Sequence, residues 1–542
     1  MSAPIPTDGR HHIDICRAEL ASLKKKYEKP YRLTRFIVTF CEGTLTSIDM
    51  KSLIELGLSI VRFKMSYMFK SDRVKMMLML QTATRWCCQK YEVNSWPIAI
   101  SIDIPNACIR TGYIDDAIPE PYVILKEGSI VEVTSDVKFW NKCTAHRIFM
   151  DDPYTIKTIK RGAEFTLNFG LIVMFCTEVI NAKTLKCKIA RGGELKSCVF
   201  VCIRGCKLTR PPLTKNDMEL LSFAKNYKLD MVTLNSVRNP KTLVKLKDFF
   251  KDAPYMPLII SSICDQEGLD NIDEIIENSD GIILAREFLA FNIVNMYQMI
   301  SIQLMIGAKC RKMGKPFYLS GHILEQTMLE GTISGCDLND ITNAVLQGAG
   351  FVLRSYYDPS NLIKTMKILD SVCRCVEPLS TDNDFMRISM EFKMPVNAAE
   401  ACILSCALLA RQSNSLVVIV PTVTGRTAKQ LTRIAPQSII LTVSSNPVVA
   451  RQLQFYRGII PIIYEQKQSK NWQEEMDRRV QFAVSYGLRQ DLLKYGHTYV
   501  ALKKSSPTSS YCDHLSVWHV MTEETKKRKI QCPDFVPHEK IY

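Results

Sequence analysis

The run Thr422-Val423-Thr424-Gly425-Arg426-Thr427 places hydroxyls, a glycine and a cation directly before a helical stretch. That chemistry suits an anion, because hydroxyls and the N–H groups of a helix start donate to phosphate-like oxygens. The same residues would also serve as a plain turn and helix cap. A metal centre is poorly supplied. Cys198, Cys202 and Cys206 stand four apart, with no CxxC pair and no neighbouring histidine, and read as buried thiols rather than zinc ligands. Cys87-Cys88 and Cys373-Arg374-Cys375 read the same way. The net charge of +15 raises the question of nucleic acid. Yet the basic clusters Lys24-Lys25-Lys26 and Lys526-Lys527-Arg528-Lys529 are short and lack interleaved aromatics, so they read as solvated ends and nucleic acid is not expected.

The elements that must position such groups follow from length and patterning. A chain of 542 residues exceeds one compact core, and two to four domains are expected. Hydrophobic residues at 46% and charged residues at 23% describe an ordinary globular protein. No apolar run approaches the ~20 residues needed to span a bilayer, so no membrane partner is expected. Met1–Asp8 lacks the basic-then-apolar plan of a secretory signal. A cytoplasmic protein with reduced cysteines is the expectation.

β-rich runs recur at Phe36–Phe40, Ser59–Lys64, Ile98–Ile104, Asp230–Leu234, Leu258–Ser262, Gly281–Ala285, Pro316–Ser320 and Phe351–Arg354. Helical patterns separate most of them, which predicts an α/β fold built on a (β/α)8 TIM barrel. The interval from Arg110 to Asp230 is about four times the usual crossover and carries alternating runs of its own, which predicts an inserted small β-barrel lid domain. After residue 380 the pattern restarts. Helices at Val396–Arg411, Arg426–Ile434 and Pro447–Phe455 alternate with strands at Ser415–Val420, Ser438–Val443 and Gly458–Ile463, giving a C-terminal α/β domain. The expected division is an N-terminal helical segment at 1–33, the barrel at 34–114 and 208–380, the lid at 115–207, and the C-terminal domain at 381–542.

Specific motifs sharpen this. Leu258-Ile259-Ile260-Ser261-Ser262-Ile263-Cys264-Asp265-Gln266-Glu267-Gly268 and Ser279-Asp280-Gly281-Ile282-Ile283-Leu284-Ala285-Arg286-Glu287-Phe288-Leu289-Ala290 resemble the pyruvate kinase segments IISKIENHEG and SDGIMVARGDLG. Val61–Ser66 is similar to ARLNFSH, Asp103 and Ile109–Gly112 to LDTKGPEIRTG, and Thr422–Thr427 to TKSGRSA. The order and spacing of these matches run from about Arg35 to near the C-terminus.

The resemblance implies phosphoryl transfer from phosphoenolpyruvate to ADP, giving pyruvate and ATP, in glycolysis. It implies Mg²⁺ and K⁺ as cofactors and a tetrameric assembly. Two polyanions must meet in that reaction, so positive charge and hard oxygen ligands are needed. By the resemblance, Ser262 stands for the catalytic lysine, in a stretch with no lysine between Lys251 and Lys309. Cys264 and Phe288 stand for the two magnesium carboxylates, and Gly321 for a substrate-contacting threonine. His322 follows where the family has glutamine, Phe169 replaces a lid aspartate, and Glu287 replaces a glycine. A thiol and a phenyl ring do not replace carboxylates for Mg²⁺. Asp265 and Glu287 lie one residue away, but a one-residue step at a strand end turns a side chain to the other side, so rescue is not expected.

What the resemblance retains is cationic. Arg62, Arg110 and Arg238 match substrate-side arginines. Ser66 and Asp103 match two potassium ligands, and Lys64 stands at a third, where its ammonium either fills the monovalent-cation position and pairs with Asp103 or snorkels to solvent. Thr422, Thr424, Gly425, Arg426 and Thr427 match the loop that holds a phosphate of a sugar bisphosphate effector. Its partner loop is altered, with Lys503-Lys504-Ser505-Ser506-Pro507 in place of TGWRPG. The expected activity is therefore that of a weak or inactive pyruvate kinase. The alternative is a non-catalytic subunit or phosphometabolite-binding regulator that assembles with an active pyruvate kinase.

Overall fold

A computed structural model of the protein describes residues 31–41, 44–64, 70–106, 108–204, 209–293, 295–354, 359–379, 388–392, 394–434 and 437–521. The expected N-terminal segment falls almost wholly outside these residues. The described chain separates into two compact units, 34–377 and a second that joins residues 31–33 to 378–521.

In the first unit eight parallel strands close into a barrel: Phe36–Phe40, Ile60–Phe63, Ala99–Ile104, Met231–Leu234, Leu258–Ile263, Gly281–Ala285, Phe317–Ser320 and Gly350–Arg354. The first strand pairs with both the second and the eighth, so the ring has no free edge. Most strands are buried along their whole length, which is why they read in the sequence as short apolar runs rather than as alternation. Thr214 and Asp217 form a capping box that starts the helix leading into the fourth strand. Asn239 followed by Pro240 starts the helix after it.

The chain leaves the barrel after the third strand and builds the insert before returning at the Lys215–Asn226 helix. Seven insert strands form one sheet, from Ile109–Arg110 and Phe200–Arg204 at one edge to Ile130–Thr134 and Arg147–Phe149 at the other. Gly193–Lys196 and Tyr122–Leu125 form a separate two-stranded ribbon. All of them enclose one apolar core that includes Val131, Phe165, Leu185 and Leu195.

The second unit is a five-stranded sheet in the order Ile459–Ile463, Ile439–Ser444, Val417–Pro421, Thr498–Lys503, His514–His519. Only the last strand runs antiparallel to its neighbour. The last two strands and the long Trp472–Arg489 helix extend beyond the elements expected from the sequence. No described helix is long and apolar enough to cross a membrane.

Candidate functional site

The C-terminal ends of barrel strands five to seven carry Ser262, Cys264, Asp265, Glu287, Phe288, Gly321 and His322. Ser262 ends the fifth strand's interior, fully buried, with its hydroxyl 3.6 Å from the Cys264 thiol. The Cys264 thiol is held well above its ordinary value by the neighbouring Cys108 thiol and by burial, so it stays protonated and neutral. Asp265 turns away to cap the short helix behind it. Its carboxylate accepts from the Gly268 N–H at 2.9 Å and the Ser236 hydroxyl at 2.6 Å. Burial pushes that carboxyl up, while those two donors and Arg238 oppose the shift.

Glu287 opens the helix that follows the sixth strand and is 2% exposed. It is ion-paired with Arg354 at the end of the eighth strand, and one oxygen lies 3.4 Å from the Ser320 hydroxyl. The other oxygen has no hydrogen-bond partner. It fills the space beside Gly321, where a Cβ would overlap the carboxylate and where φ is +71°. Glycine at 321 and glutamate at 287 are thus one packing solution: the Glu287 carboxylate takes the volume that Gly321 leaves free. Arg286 fixes the loop from below. It donates to the carbonyls of Gly321 (3.2 Å) and His322 (2.6 Å) and forks onto Asp340 at 2.9 and 2.6 Å.

Phe288, on the next position of that helix, meets two insert residues. Its ring centroid is 4.6 Å from Phe200 and 5.4 Å from Phe169, and Phe169 stacks on Phe200 at 5.8 Å. Such ring pairs add about 0.5–1.5 kcal/mol each beyond area burial.

The opposite side of the mouth is cationic. Arg62 donates to the Thr39 hydroxyl at 2.9 Å and lies 3.6 Å from Asp103, which also accepts from Asn235 at 2.9 Å. Burial pushes the Lys64 ammonium down to about 8, and Arg110 pushes the same way. Cys41 and Asp103 oppose that shift, and Arg354 adds to it. Arg110 donates to the Cys198 carbonyl of the insert at 3.0 Å. Arg238 stands apart from this group, 3.6 Å from Glu267 and close enough to act on Asp265. Ser66 lies outside the described residues. Among the described residues no group of three or more His, Cys, Asp or Glu side chains is arranged to hold a metal ion.

The second candidate site lies in the other unit. Thr422, Thr424, Arg426 and Thr427 line a cavity of about 190 Å³, closed on other sides by Trp472, Arg479, Lys504 and Cys512. Gly425 adopts φ +76°, and its N–H donates to the Thr422 hydroxyl at 2.9 Å, so the loop needs a residue free to take that conformation. The Trp472 indole donates to the Lys504 carbonyl at 3.0 Å, fixing the facing loop. Arg479 is braced by Glu475 at 2.8 Å and Ser445 at 3.1 Å.

A family model of the pyruvate kinase barrel domain matches residues 31–357, and one of the pyruvate kinase alpha/beta domain matches residues 400–517. The chain belongs to the pyruvate kinase family. Pyruvate kinase PKLR of Homo sapiens is 26% identical over 489 residues, covering 90% of this chain and 84% of the relative. Pyruvate kinase 2 of Saccharomyces cerevisiae is 25% identical over 493 residues, covering 89% of this chain and 94% of the relative. This chain is thus a divergent pyruvate kinase family member that spans most of the length of these relatives.

Several residues that shape this pyruvate kinase barrel mouth escaped the sequence reading. Arg354 ends the Phe351–Arg354 run, and a charged residue closing an apolar strand is a usable signal. Phe200, Asn292 and Cys108 carried none, since each gains its role only from what the fold sets beside it. In the C-terminal unit, Trp472 and Arg479 stand seven apart on one helix, close enough to a common face to line one pocket.

Proposed function

We propose that this chain is a pyruvate kinase-like protein of glycolysis whose turnover of phosphoenolpyruvate and ADP is weak or absent. The observation that carries the reading is the occupation of the expected metal position. Phe288 packs into a ring cluster, Glu287 is paired with Arg354, and Asp265 caps a helix. Mg²⁺ does not fit this set, because a neutral thiol and a phenyl ring stand at the two expected ligand positions, while the neighbouring carboxylates are engaged by Arg354 and by Ser236 and the Gly268 N–H. Ser262 supplies no charge for a transferring phosphoryl group. Losing one preorganised donor costs about 10²–10³ in turnover, and losses within one unit are not additive, so that range is a lower bound on the effect.

A second reading has its own support. The C-terminal cavity brings hydroxyls, Arg426, Arg479 and Lys504 around a volume suited to a phosphate group. On that basis the chain acts in the cytoplasm as a phosphometabolite-binding subunit, responding to a sugar bisphosphate in a homo- or hetero-tetramer with pyruvate kinase chains. A coupled phosphoenolpyruvate/ADP assay on purified protein, run with Mg²⁺ and with Mn²⁺, tests the main reading. Turnover at least 10²-fold below an active pyruvate kinase is expected. Robust turnover that disappears in Asp265→Asn or Glu287→Gln would overturn it.

A further inference from the structure

We infer that the insert is clasped shut on the barrel by side chains of the chain itself, so that closure needs neither substrate nor metal. The clasp has an apolar half and a polar half, each with residues from both sides of the cleft.

The apolar half is the triangle of rings. Phe169 sits on a left-handed turn (φ +55°) after the Glu164–Leu167 strand, beside Asn168 (φ +48°), whose N–H donates to the Phe200 carbonyl at 3.1 Å. That turn and strand therefore present Phe169 and Phe200 as one stacked surface, and the edge of Phe288 meets it from the barrel. Gly170, at φ +85°, continues the turn onto a second barrel ring. A Cβ there would lie 2.7 Å from Cε1 of Phe291, so the insert backbone rests directly on that phenyl.

The polar half is Asn292. Its amide N–H groups donate to the Cys264 and Phe288 carbonyls at 3.0 Å each, which ties the Arg286–Asn292 helix to the end of the fifth strand. Its oxygen accepts from the Cys202 thiol of the insert at 2.7 Å, and the same thiol reaches the Phe291 carbonyl at 3.3 Å. Burial pushes the Cys202 thiol up to about 12, which keeps it a donor through the neutral range.

Opening the cleft would expose rings to water and separate Cys202 from its acceptors. These clasp contacts are uncharged, so salt screens them little, unlike the contacts of a lid drawn shut by a charged ligand. This goes beyond loss of turnover, since an inactive protein with a mobile lid would satisfy that loss and still break this inference.

Hydrogen exchange on the full-length protein, with and without phosphoenolpyruvate and MgCl₂, tests it. Amides of 164–171, 199–204 and 286–293 are expected to be protected in the absence of both additives and to change less than about twofold on their addition. Phe169→Ser is expected to speed exchange in 286–293 roughly tenfold, from the loss of two ring pairs, while Met231–Leu234 in the barrel stays protected. Should Phe169→Ser also unprotect that barrel strand, Phe169→Leu, which keeps an apolar side chain, decides the matter by the same cross-cleft readout. Contact segments that exchange freely in the unliganded protein and slow only with phosphoenolpyruvate and MgCl₂ would overturn the inference. So would a folded variant at 169 with unchanged exchange across the cleft.

Discussion

The barrel mouth and the C-terminal loop, both proposed above to correspond to anion sites, are arranged in opposite ways. At the mouth the protein answers its own charges. Arg354 meets Glu287, Arg62 meets Asp103, and Asp265 meets Ser236 and the Gly268 N–H. At the loop, Thr424, Arg426, Thr427 and Lys504 face a cavity. Groups that bind one another make a rigid, self-contained core, whereas groups lining a cavity leave room for a ligand. The difference teaches that sequence divergence at the mouth is not simple decay, because the replacements compensate one another in volume and in charge.

The sharpest way to break that claim is to restore a family residue alone. Gly321→Thr is expected to destabilise the protein by about 3 kcal/mol, because a β-branched side chain must take φ > 0 and displace the buried Glu287 carboxylate. Adding Glu287→Gly is expected to return about half of that loss, since it removes the overlap but not the backbone strain. Urea unfolding of the two single variants and the double variant reads the coupling. Additive losses would mean that the two positions drifted independently.

The loop side of the comparison predicts the next largest effect. Fructose bisphosphate at a hundredfold excess over its Kd is expected to stabilise the protein by about 2.7 kcal/mol, seen as a rise of a few degrees in Tm. Arg426→Ala and Lys504→Ala are expected to reduce that rise, and changes at the barrel mouth to leave it alone. A shift with phosphoenolpyruvate but none with the bisphosphate would reverse the comparison.

A smaller loss tests the charge half of the compensation. Arg354→Leu is expected to cost about 2 kcal/mol, below the ~3–5 kcal/mol of a fully buried pair because Arg354 is 20% exposed. Arg354→Leu combined with Glu287→Gly is expected to cost less than Arg354→Leu alone, since no carboxylate is then left without a cation. Thermal unfolding of both variants checks the order.

How much of this was legible follows from the range over which each feature acts. The eight barrel strands could be read directly, because a fully buried strand such as Gly281–Ala285 is a local apolar run bounded by turns. Ser262, Cys264 and Phe288 could be singled out from the motifs around them, as the positions that the resemblance assigns to the lysine and the two magnesium carboxylates. The partnership of Glu287, Gly321 and Arg354 was not, because it joins the ends of three strands through shared volume, and no local pattern encodes volume. The ring triangle failed to show for the same reason. Phe169 and Phe288 each read as a lost aspartate, and only the fold brings Phe200 between them.

The smallest expected effect concerns Lys64 and potassium. Asp103 is already 3.6 Å from Arg62 and also steadies the Lys64 ammonium, so fixed cations surround the position where the family frame puts a monovalent ion. A mobile K⁺ would have to enter against Arg62, Lys64, Arg110 and Arg354, with only one carboxylate, Asp103, among the residues matched to its ligands. Binding of phosphoenolpyruvate, if measured by calorimetry in KCl and then in tetramethylammonium chloride at equal ionic strength, is expected to change less than about twofold. Lys64→Asn restores the family residue and removes the competing charge, so it is expected to introduce a potassium dependence that the parent lacks. A parent protein that binds only in KCl would show that the mouth still recruits its ion, and would move it back toward the behaviour of the cavity-lined loop.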